Sequence, residues 1–226
     1  MKNRKFDTKR MIVIALFCAI AYATMFVLRI KVSFLTFDAK DAVITIAAML
    51  FGPATGAGIS LVVATLELIT VSDTGIYGWV MNFASSAVFS IMASAIYQHK
   101  RRMASAIVGL AAAVVSVTAV MMGMNLLITP LYTGASARDV AAMIPTLLLP
   151  FNLTKASLNA ALVMVLYKPI STAMKKARVT DTVGGEGYHV NRQSLIFTLV
   201  GLAVTVACVC VMIFVLDGSF SLIKGA

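Results

Sequence analysis

The chain has 226 residues, of which 60% are hydrophobic and 12% charged, and its mean hydropathy is +0.94. These values lie outside the range of soluble domains, so the composition predicts an integral membrane protein. A soluble nucleic-acid-binding protein is excluded, because the net charge of +10 is read first as a membrane-topology signal. The cysteines all lie in apolar runs, so they are interpreted as small hydrophobic residues and not as a disulfide framework or a metal site.

Apolar runs along the chain predict an all-α, polytopic transmembrane bundle with a six-helix core and a seventh helix after it. Helix 1 is predicted at residues 11–28. Helix 2, at residues 42–51, is too short to cross a hydrocarbon layer of roughly 30 Å, so we expect it to be tilted or partly buried in protein. The later helices are predicted, in chain order, at about residues 54–71, 78–97, 104–129, 150–167 and 195–216.

Glycine and proline mark the predicted ends of these helices. Gly52-Pro53 predicts a tight turn between helices 2 and 3, and Pro130 is expected to close helix 5. Pro145 and Pro150 argue against one unbroken helix over the apolar stretch 140–167, because proline lacks a backbone N–H and crowds the preceding turn. Pro150 fits best near the first position of helix 6.

Four regions follow from this division of the chain. They are a basic N-terminus at 1–10, a six-helix core at 11–172, a polar linker at 173–193, and the extra helix with its outer tail at 194–226. Most of the 19 Lys and Arg residues then fall on the side of the N-terminus. This distribution obeys the positive-inside rule and predicts a multi-pass protein with a cytoplasmic N-terminus. The basic side is also expected to attract anionic lipid headgroups.

Polar residues within the apolar helices gather at the opposite, outer end. Asn152, Lys155 and Asn159 have the spacing i, i+3, i+7 and therefore share one face of helix 6. Such a face is expensive in lipid and should face a cavity or another helix. The other polar and aromatic residues at this level are Asp38, Lys40, Asp41, Glu67, Asn82, Asn125, Phe34, Phe37, Tyr77, Trp79, Phe83, Tyr132 and Phe151. Together they predict an outward-open pocket for a small, flat, partly polar ligand.

Each of these polar residues also has a purely structural interpretation. Lys155 is close enough to the outer end of its helix to reach the headgroups. Asn125 and Asn152 are of the type that links helices by hydrogen bonds. Glu67 has Lys155 and Lys40 as candidate ion-pair partners. The functional interpretation therefore depends on the convergence of these residues and not on any one of them.

Motifs for catalysis are missing from the sequence. There is no GxxxxGK[ST] phosphate loop, no HExxH and no GxSxG. The chain is therefore predicted to hydrolyse no ATP itself and not to be an enzyme, with no catalytic residue, metal or cofactor. Small residues do recur at every fourth position of helix 1, at Ala15, Ala19 and Ala23, and such a face serves either internal packing or the docking of a partner helix.

Several stretches resemble the substrate-binding (S) components of energy-coupling factor (ECF) vitamin transporters. They are ALFCA at 15–19, FLTFDAKD at 34–41 and LFGP at 50–53. Within that family, TPLY at 129–132 and PFNLTK at 150–155 are similar to the riboflavin-specific branch. The resemblance covers about residues 8–172.

The resemblance implies a protein of the bacterial cytoplasmic membrane that captures riboflavin with high affinity in an outward-facing pocket. The vitamin would be a transported ligand and not a cofactor. Partners implied by the resemblance are a transmembrane coupling protein, onto which Ala15 and Ala19 dock, and two cytoplasmic ATPase subunits that drive uptake.

The resemblance also implies flavin contacts for Asn125, Asn152 and Lys155, together with the backbone near Leu35. To this substrate-binding set the placement of polar and aromatic residues adds Phe151, Glu67 and Lys40.

Two other functions stay open at the level of sequence. An S component for another vitamin, such as pantothenate or folate, would use Lys40 and Lys155 as counter-charges for an acidic ligand. A membrane scaffold without transport activity would use the Asn and Lys residues to hold helices together.

Overall fold

The computed structural model describes residues 8–27, 30–177, 192–216 and 219–220, most of them in helices. In chain order the helices are α1 (Thr8–Val27), α2 (Lys40–Phe51), α3 (Pro53–Thr70), α4 (Gly75–Lys100), α5 (Met103–Thr133), α6 (Ala137–Ala142), α7 (Leu149–Lys176) and α8 (Arg192–Cys210). Single π-helical turns lie before α7, at Ile144–Leu148, and after α8, at Val211–Val215. Helices α1 to α5 and α7 correspond to the predicted core, and α8 is the predicted seventh helix.

Six helical segments of the described chain are long and apolar enough to cross a membrane. They are α1, α3, α4, α5, α7 with its π-turn, and α8 with its π-turn. Large apolar side chains such as Ile69, Leu127 and Phe214 are exposed on the outside of the bundle. This surface is unfavourable in water but compatible with hydrocarbon. The predicted all-α transmembrane bundle is confirmed.

Helix α2 lies at the centre of the bundle. It has 12 residues, and every one from Lys40 to Leu50 is buried. It packs against α1, α3, α4 and α7. A helix of this length reaches about 18 Å at 1.5 Å per residue, so it ends inside the protein instead of spanning the membrane. Of the two expectations for helix 2, tilt or partial burial in protein, burial is the one observed.

The predicted turn between α2 and α3 is present, and a second turn follows α3. Gly52 has a φ of +117°, which side chains rarely allow, and its N–H donates to the carbonyl of Ala48 at 2.8 Å. Pro53 then begins α3 in the position where its missing N–H is no loss. Gly75, with a φ of +58°, begins α4.

The prediction that Pro130 closes helix 5 is wrong. Helix α5 continues through Pro130 to Thr133 and ends at Gly134, whose φ is +73° and whose N–H donates to the carbonyl of Pro130 at 3.2 Å. Proline removes one backbone donor but still offers its carbonyl. The left-handed glycine therefore determines where the helix stops.

Helix α7 matches the prediction at its start and exceeds it at its end. Pro150 lies in its first turn, and Pro145 lies in the preceding π-turn. The helix then continues through Pro169 to Lys176, so the first residues of the predicted linker 173–193 are helical. Lys175 and Lys176 lie in the last turn, where positive charge is favourable to the helix dipole. Residues 178–191 of the linker lie outside the described residues.

A small antiparallel sheet that the sequence did not predict covers one end of the bundle. Strands β1 (Ile30–Val32) and β2 (Leu35–Phe37) form a hairpin, called the hairpin below, and β3 (Ser219–Phe220) pairs with the other edge of β1. Ser33, in the turn, has a φ of +53°. Strands this short carry no clear period, and the turn lacks the Asn-Gly or Asp-Gly pair that marks a hairpin.

The apolar interior is divided into two clusters. The larger lies within the six-helix core. The smaller joins the hairpin to α7 and α8, and its buried members are Ile30, Val32, Phe37, Phe151, Leu158 and Cys208. The hairpin is therefore anchored to the bundle through its own hydrophobic contacts.

Close packing of the helices depends on small residues. A Cβ atom at Gly109 of α5 would lie 2.7 Å from the carbonyl oxygen of Ala93 on α4. A Cβ atom at Gly56 of α3 would lie 2.7 Å from the Cβ of Ala48 on α2. At these two points the backbones approach more closely than any side chain permits.

We expect Gly109→Ala to destabilise the protein by about 1–3 kcal/mol, because the added methyl group meets a backbone carbonyl that cannot move independently. Thermal unfolding in detergent measures the effect. Gly123→Ala is the matched control, since a Cβ there has no neighbour within 4 Å and alanine favours helix by up to about 1 kcal/mol. Equal unfolding temperatures for the two variants would contradict the packing argument.

Candidate ligand-binding site

A polar cavity lies beneath the hairpin, between the ends of α3, α4 and α5 and the start of α7. Its volume is about 120 Å³, which is below the roughly 300–1,000 Å³ of pockets for drug-sized ligands. The cavity must therefore widen to hold a ligand of that size. Its lining includes Phe34, Leu35, Asp38, Glu67, Met81, Asn82, Tyr132, Phe151, Asn152 and Lys155.

The structure brings most of the predicted site residues to this cavity. Those that line it are Leu35, Glu67, Phe151, Asn152 and Lys155. Lys40 is 1% exposed and lies behind the wall, and Asn125 is fully buried. Asn125 lies one turn along α5 from Met121, which does line the cavity.

A chain of buried ion pairs runs behind the cavity wall. The ammonium group of Lys155, on α7, lies 3.1 Å from a carboxylate oxygen of Asp38, which precedes α2. The same oxygen lies 3.6 Å from Nζ of Lys40, and Nζ of Lys40 lies 2.6 Å from a carboxylate oxygen of Glu67 on α3. Charges of alternating sign thus connect three elements, and each one offsets the cost of burying its neighbour.

Asp38 is the centre of this network. Burial opposes ionisation of its carboxyl group, but the ammonium groups of Lys155 and Lys40 outweigh that effect and hold the pKa of Asp38 below its ordinary value. Its other carboxylate oxygen accepts a hydrogen bond of 3.3 Å from the backbone N–H of Lys40. Asp38 is therefore a buried carboxylate that two ammonium groups require.

Helix α7 also holds the backbone where the hairpin meets α2. Lys155 donates to the carbonyl of Thr36 at 3.2 Å, and Asn159 donates to the carbonyl of Asp38 at 3.1 Å. The side-chain oxygen of Asn159 accepts from the N–H of Ala42 at 2.9 Å, in the first turn of α2. The polar face predicted on this helix thus faces protein, with the hairpin and α2 as its partners.

The two predicted asparagine contacts form hydrogen bonds within their own helices. Asn152 donates to the carbonyl of Leu148 at 2.8 Å, and Asn125 donates to that of Met121 at 2.7 Å. Thr129 donates to the side-chain oxygen of Asn125 at 3.0 Å. Neither asparagine bonds to another helix through these contacts, so the interpretation that they link helices has no support from them.

Aromatic side chains form part of the cavity wall. Phe34, Tyr132 and Phe151 line it, and Tyr132 stacks on Tyr77 with the ring centres 6.3 Å apart. Trp79 is not among the lining residues; its indole N–H donates to Thr65 at 3.2 Å. A wall of aromatic faces and polar edges suits a flat ligand that carries both.

Asp38 was placed at this end of the bundle by the sequence analysis but was left out of the substrate-binding set, although it lines the cavity. The signal was present, because a lysine inside a membrane helix needs an anionic partner. Glu67 was the expected partner of either Lys155 or Lys40. In the structure it pairs with Lys40, while Asp38 takes Lys155.

A second candidate surface lies on α1. Ala15, Ala19 and Ala23 are all exposed on this helix, and the apolar residues exposed beside them include Met11, Ile12, Leu16 and Ile20. On α3, by contrast, the small residues Gly56, Ser60 and Ala64, which also recur at every fourth position, are buried and serve internal packing. The small residues of α1 are therefore accessible to a partner helix, whereas those of α3 are used within the bundle.

An apolar helical bundle with a polar cavity at one end is the architecture of a membrane protein that binds a small substrate. Residues 9–167 match the model of the family described as ECF transporter, substrate-specific component. The chain belongs to this family, and as an S component it works with an ECF module. The prediction that it is a transport component and not an enzyme is confirmed.

Two individual proteins show the same relationship. The riboflavin transporter RibU of Staphylococcus aureus (strain TCH60) is 30% identical over 180 residues, which cover 75% of this chain and 94% of that protein. A solved structure of the S component of a bacterial ECF transporter matches with a TM-score of 0.63 and 29% identity, covering 74% of this chain and 98% of the other.

We expect Asp38→Asn to destabilise the protein by roughly 3–5 kcal/mol, because it leaves the ammonium groups of Lys155 and Lys40 buried with too little negative charge. The measurement is thermal unfolding in detergent. Asp73→Asn is the control: Asp73 pairs with Lys31 at 3.4 Å, but the two side chains are 75% and 44% exposed, so the loss should be about 0–1 kcal/mol. If both variants unfold at the same temperature, the buried network does not stabilise the fold.

Proposed function

We propose that this S component binds riboflavin in the cavity beneath the hairpin and presents it for ATP-driven uptake. The observation that carries the proposal is the convergence of Leu35, Phe151, Asn152 and Lys155 on one cavity. These residues come from two elements that are far apart in the sequence and meet only in the fold. The similarity to the S. aureus riboflavin transporter, which covers most of both chains, supports the same ligand.

The chemistry of the isoalloxazine ring fits this wall. Its imide and carbonyl edge takes hydrogen bonds from an amide or an ammonium group, which Asn152 and Lys155 provide. Its faces are covered by aromatic and aliphatic side chains such as Phe151 and Leu35. A contact with Asn125 requires the cavity to deepen past Met121, which agrees with a cavity that must widen to admit the vitamin.

The charges at the site favour a neutral ligand over an acidic one. The charged residues among the described lining are the carboxylates of Asp38, Glu67 and Asp73 and the ammonium of Lys155. Lys155 and Lys40, the proposed counter-charges for pantothenate or folate, are already paired with Asp38 and Glu67. An acidic vitamin would have to displace these carboxylates in a buried site, at a large electrostatic cost.

The difference in charge between the two ends of the bundle supports an orientation in the membrane. One end, called the basic end, carries Lys9, Arg10, Lys100, Arg101, Arg102, Lys168, Lys175 and Lys176. The cavity lies at the other end. By the positive-inside rule the basic end and the N-terminus are cytoplasmic, so the cavity opens outward.

Coupling then takes place through the accessible face of α1, where Ala15 and Ala19 meet the transmembrane partner and, through it, two ATPase subunits.

The decisive experiment is direct. The protein is purified in detergent without added vitamin and denatured, and the absorbance and fluorescence of the released small molecules are recorded. We expect a yellow flavin near one equivalent, and saturable quenching of riboflavin fluorescence by flavin-depleted protein. Binding of pantothenate or folate that weakens with added salt, with no response to riboflavin, would instead establish an acidic vitamin.

Two variants that each lose one intrahelical hydrogen bond extend this experiment; the first is the test and the second is its control. Asn152→Ala removes a cavity group and should weaken riboflavin binding at least about tenfold, the equivalent of 1.4 kcal/mol. Thr205→Ala removes the bond from Thr205 to Gly201 on α8, away from the cavity, and should leave binding unchanged. A membrane scaffold would show no riboflavin binding in any of the three proteins.

The docking face yields a separate prediction. We expect Ala19→Leu to reduce ATP-driven riboflavin uptake about tenfold while leaving riboflavin binding intact, because a larger side chain keeps the partner helix from approaching closely. Uptake into cells or proteoliposomes that contain the ECF module measures the effect. Ala111→Leu, at an exposed alanine of α5, is the control and should transport normally. Normal uptake by Ala19→Leu would remove α1 as the coupling surface.

A further inference from the structure

Helix α8 is docked on the core and is more than an appended membrane span. It packs along α7. Gly201 is buried in this contact, and a Cβ there would lie 2.9 Å from Cγ2 of Val165 and 3.2 Å from the carbonyl oxygen of Ala161. Such close approach of two helices requires glycine and indicates a specific interface. Leu202 and Val206 of α8 are exposed.

At the cavity end, α8 contributes to the apolar cluster that holds the hairpin. Cys208 is buried in that cluster, and Val209 and, after the π-turn, Leu216 pack against it. Ile30, Val32 and Phe37 of the hairpin are buried in the same cluster. The hairpin thus packs on α7 and α8 together, although α8 lies outside the segment of the chain that matches the family.

Backbone pairing adds a second connection between this part of the chain and the hairpin. Strand β3 pairs with β1 in antiparallel register, with Ile30 opposite Phe220 and Lys31 opposite Ser219. Because β2 pairs with the other edge, β1 is the central strand of the sheet. An isolated two-stranded hairpin is marginally stable, whereas a third strand and an apolar face make a sheet persistent.

The hairpin also forms a wall of the cavity outside the helices, as does the turn between α3 and α4 at residues 71–74. Phe34, Leu35 and Thr36 line the cavity, so a ligand that leaves the cavity on this side has to displace them. Displacement strains the β1–β3 pairing and the apolar cluster at the same time. Helix α8 and strand β3 therefore resist this movement together with α7, whose Phe151 and Leu158 belong to the same cluster.

We propose that α8 and β3 are positioning elements that hold the hairpin over the cavity and thereby set the rate at which the bound vitamin leaves. The identity of the vitamin rests on the proposed function; the restraint on the hairpin does not. Contacts that restrain a cavity wall act mainly on the dissociation rate, since a wall that opens less often releases its ligand less often.

The test compares two double variants of the full chain. Val209→Ala with Leu216→Ala truncates α8 and the residue after its π-turn where they pack on the hairpin cluster, and Leu202→Ala with Val206→Ala makes the same truncations at exposed positions of α8. The first readout is hydrogen exchange of the backbone amides of residues 30–37 without added vitamin. The second is the rate of riboflavin dissociation, followed by recovery of its fluorescence. We expect the first variant to raise both rates at least about fivefold and the control to leave both unchanged.

A cross-link tests the strand pairing and does not weaken the fold. Lys31→Cys with Ser219→Cys places two thiols at paired positions of an antiparallel sheet, where the Cα spacing suits a disulfide. We expect oxidation to give the 31–219 linked peptide, identified by mass spectrometry, to slow riboflavin dissociation at least about fivefold, and reductant to reverse the effect. Failure to form this link, or a link that leaves dissociation unchanged, overturns the proposal.

The outcomes separate this inference from the proposed function. If the unchanged protein ignores riboflavin but the Val209 and Leu216 truncations still accelerate exchange in the hairpin, the ligand is wrong and the restraint stands. If riboflavin binds and neither hairpin exchange nor dissociation responds to these truncations, the restraint is wrong and the ligand stands. A Val209 and Leu216 variant that fails to fold leaves the cross-link to decide.

Discussion

The site depends on one physical constraint, the need to neutralise Lys155 inside the bundle. An ammonium group at this depth requires an anion, and Asp38 provides it at 3.1 Å. Asp38 in turn needs the second ammonium of Lys40, which needs Glu67. Because these residues come from α7, the approach to α2, and α3, satisfying the charges also fixes where those elements meet. The cavity wall is a consequence of that arrangement.

The central position of α2 follows from the same arrangement. The helix is too short to cross the membrane, so it begins inside the bundle. The backbone N–H groups of its first turn, which have no partner within the helix, need partners from elsewhere in the protein. Asn159 accepts from Ala42 and donates to the carbonyl of Asp38. The side chain of Asn159 on α7 thus provides hydrogen-bond partners for the backbone at the start of α2. The hairpin that precedes α2 is held directly over the cavity. The outer helices, with apolar exteriors, leave the whole bundle soluble in lipid.

Sequence patterns identified most of the architecture because the membrane simplifies the rules. Long apolar runs predict spanning helices, and the run at 42–51 was correctly set apart by its length. The extent of α5 beyond Pro130 was missed, since a proline near a helix end removes one bond without stopping the chain, and Gly134 sets the end instead. The hairpin was missed because its strands are three residues each and gain stability from α7, α8 and β3 and not from their own pattern.

By itself the sequence determined the membrane class, the long helices, the polar end of the bundle and most of the residues that converge there, because composition and helical spacing are local properties; the six-residue helix α6 was not predicted. Tertiary structure decided which charges pair. By charge alone several pairings are possible among Asp38, Lys40, Glu67 and Lys155. In the structure the N–O distances of 2.6 to 3.6 Å between their ammonium and carboxylate groups define one arrangement. It also decided that Lys40 and Asn125 lie beside the cavity and not on its wall, since side-chain direction in a packed bundle depends on neighbours from distant parts of the chain.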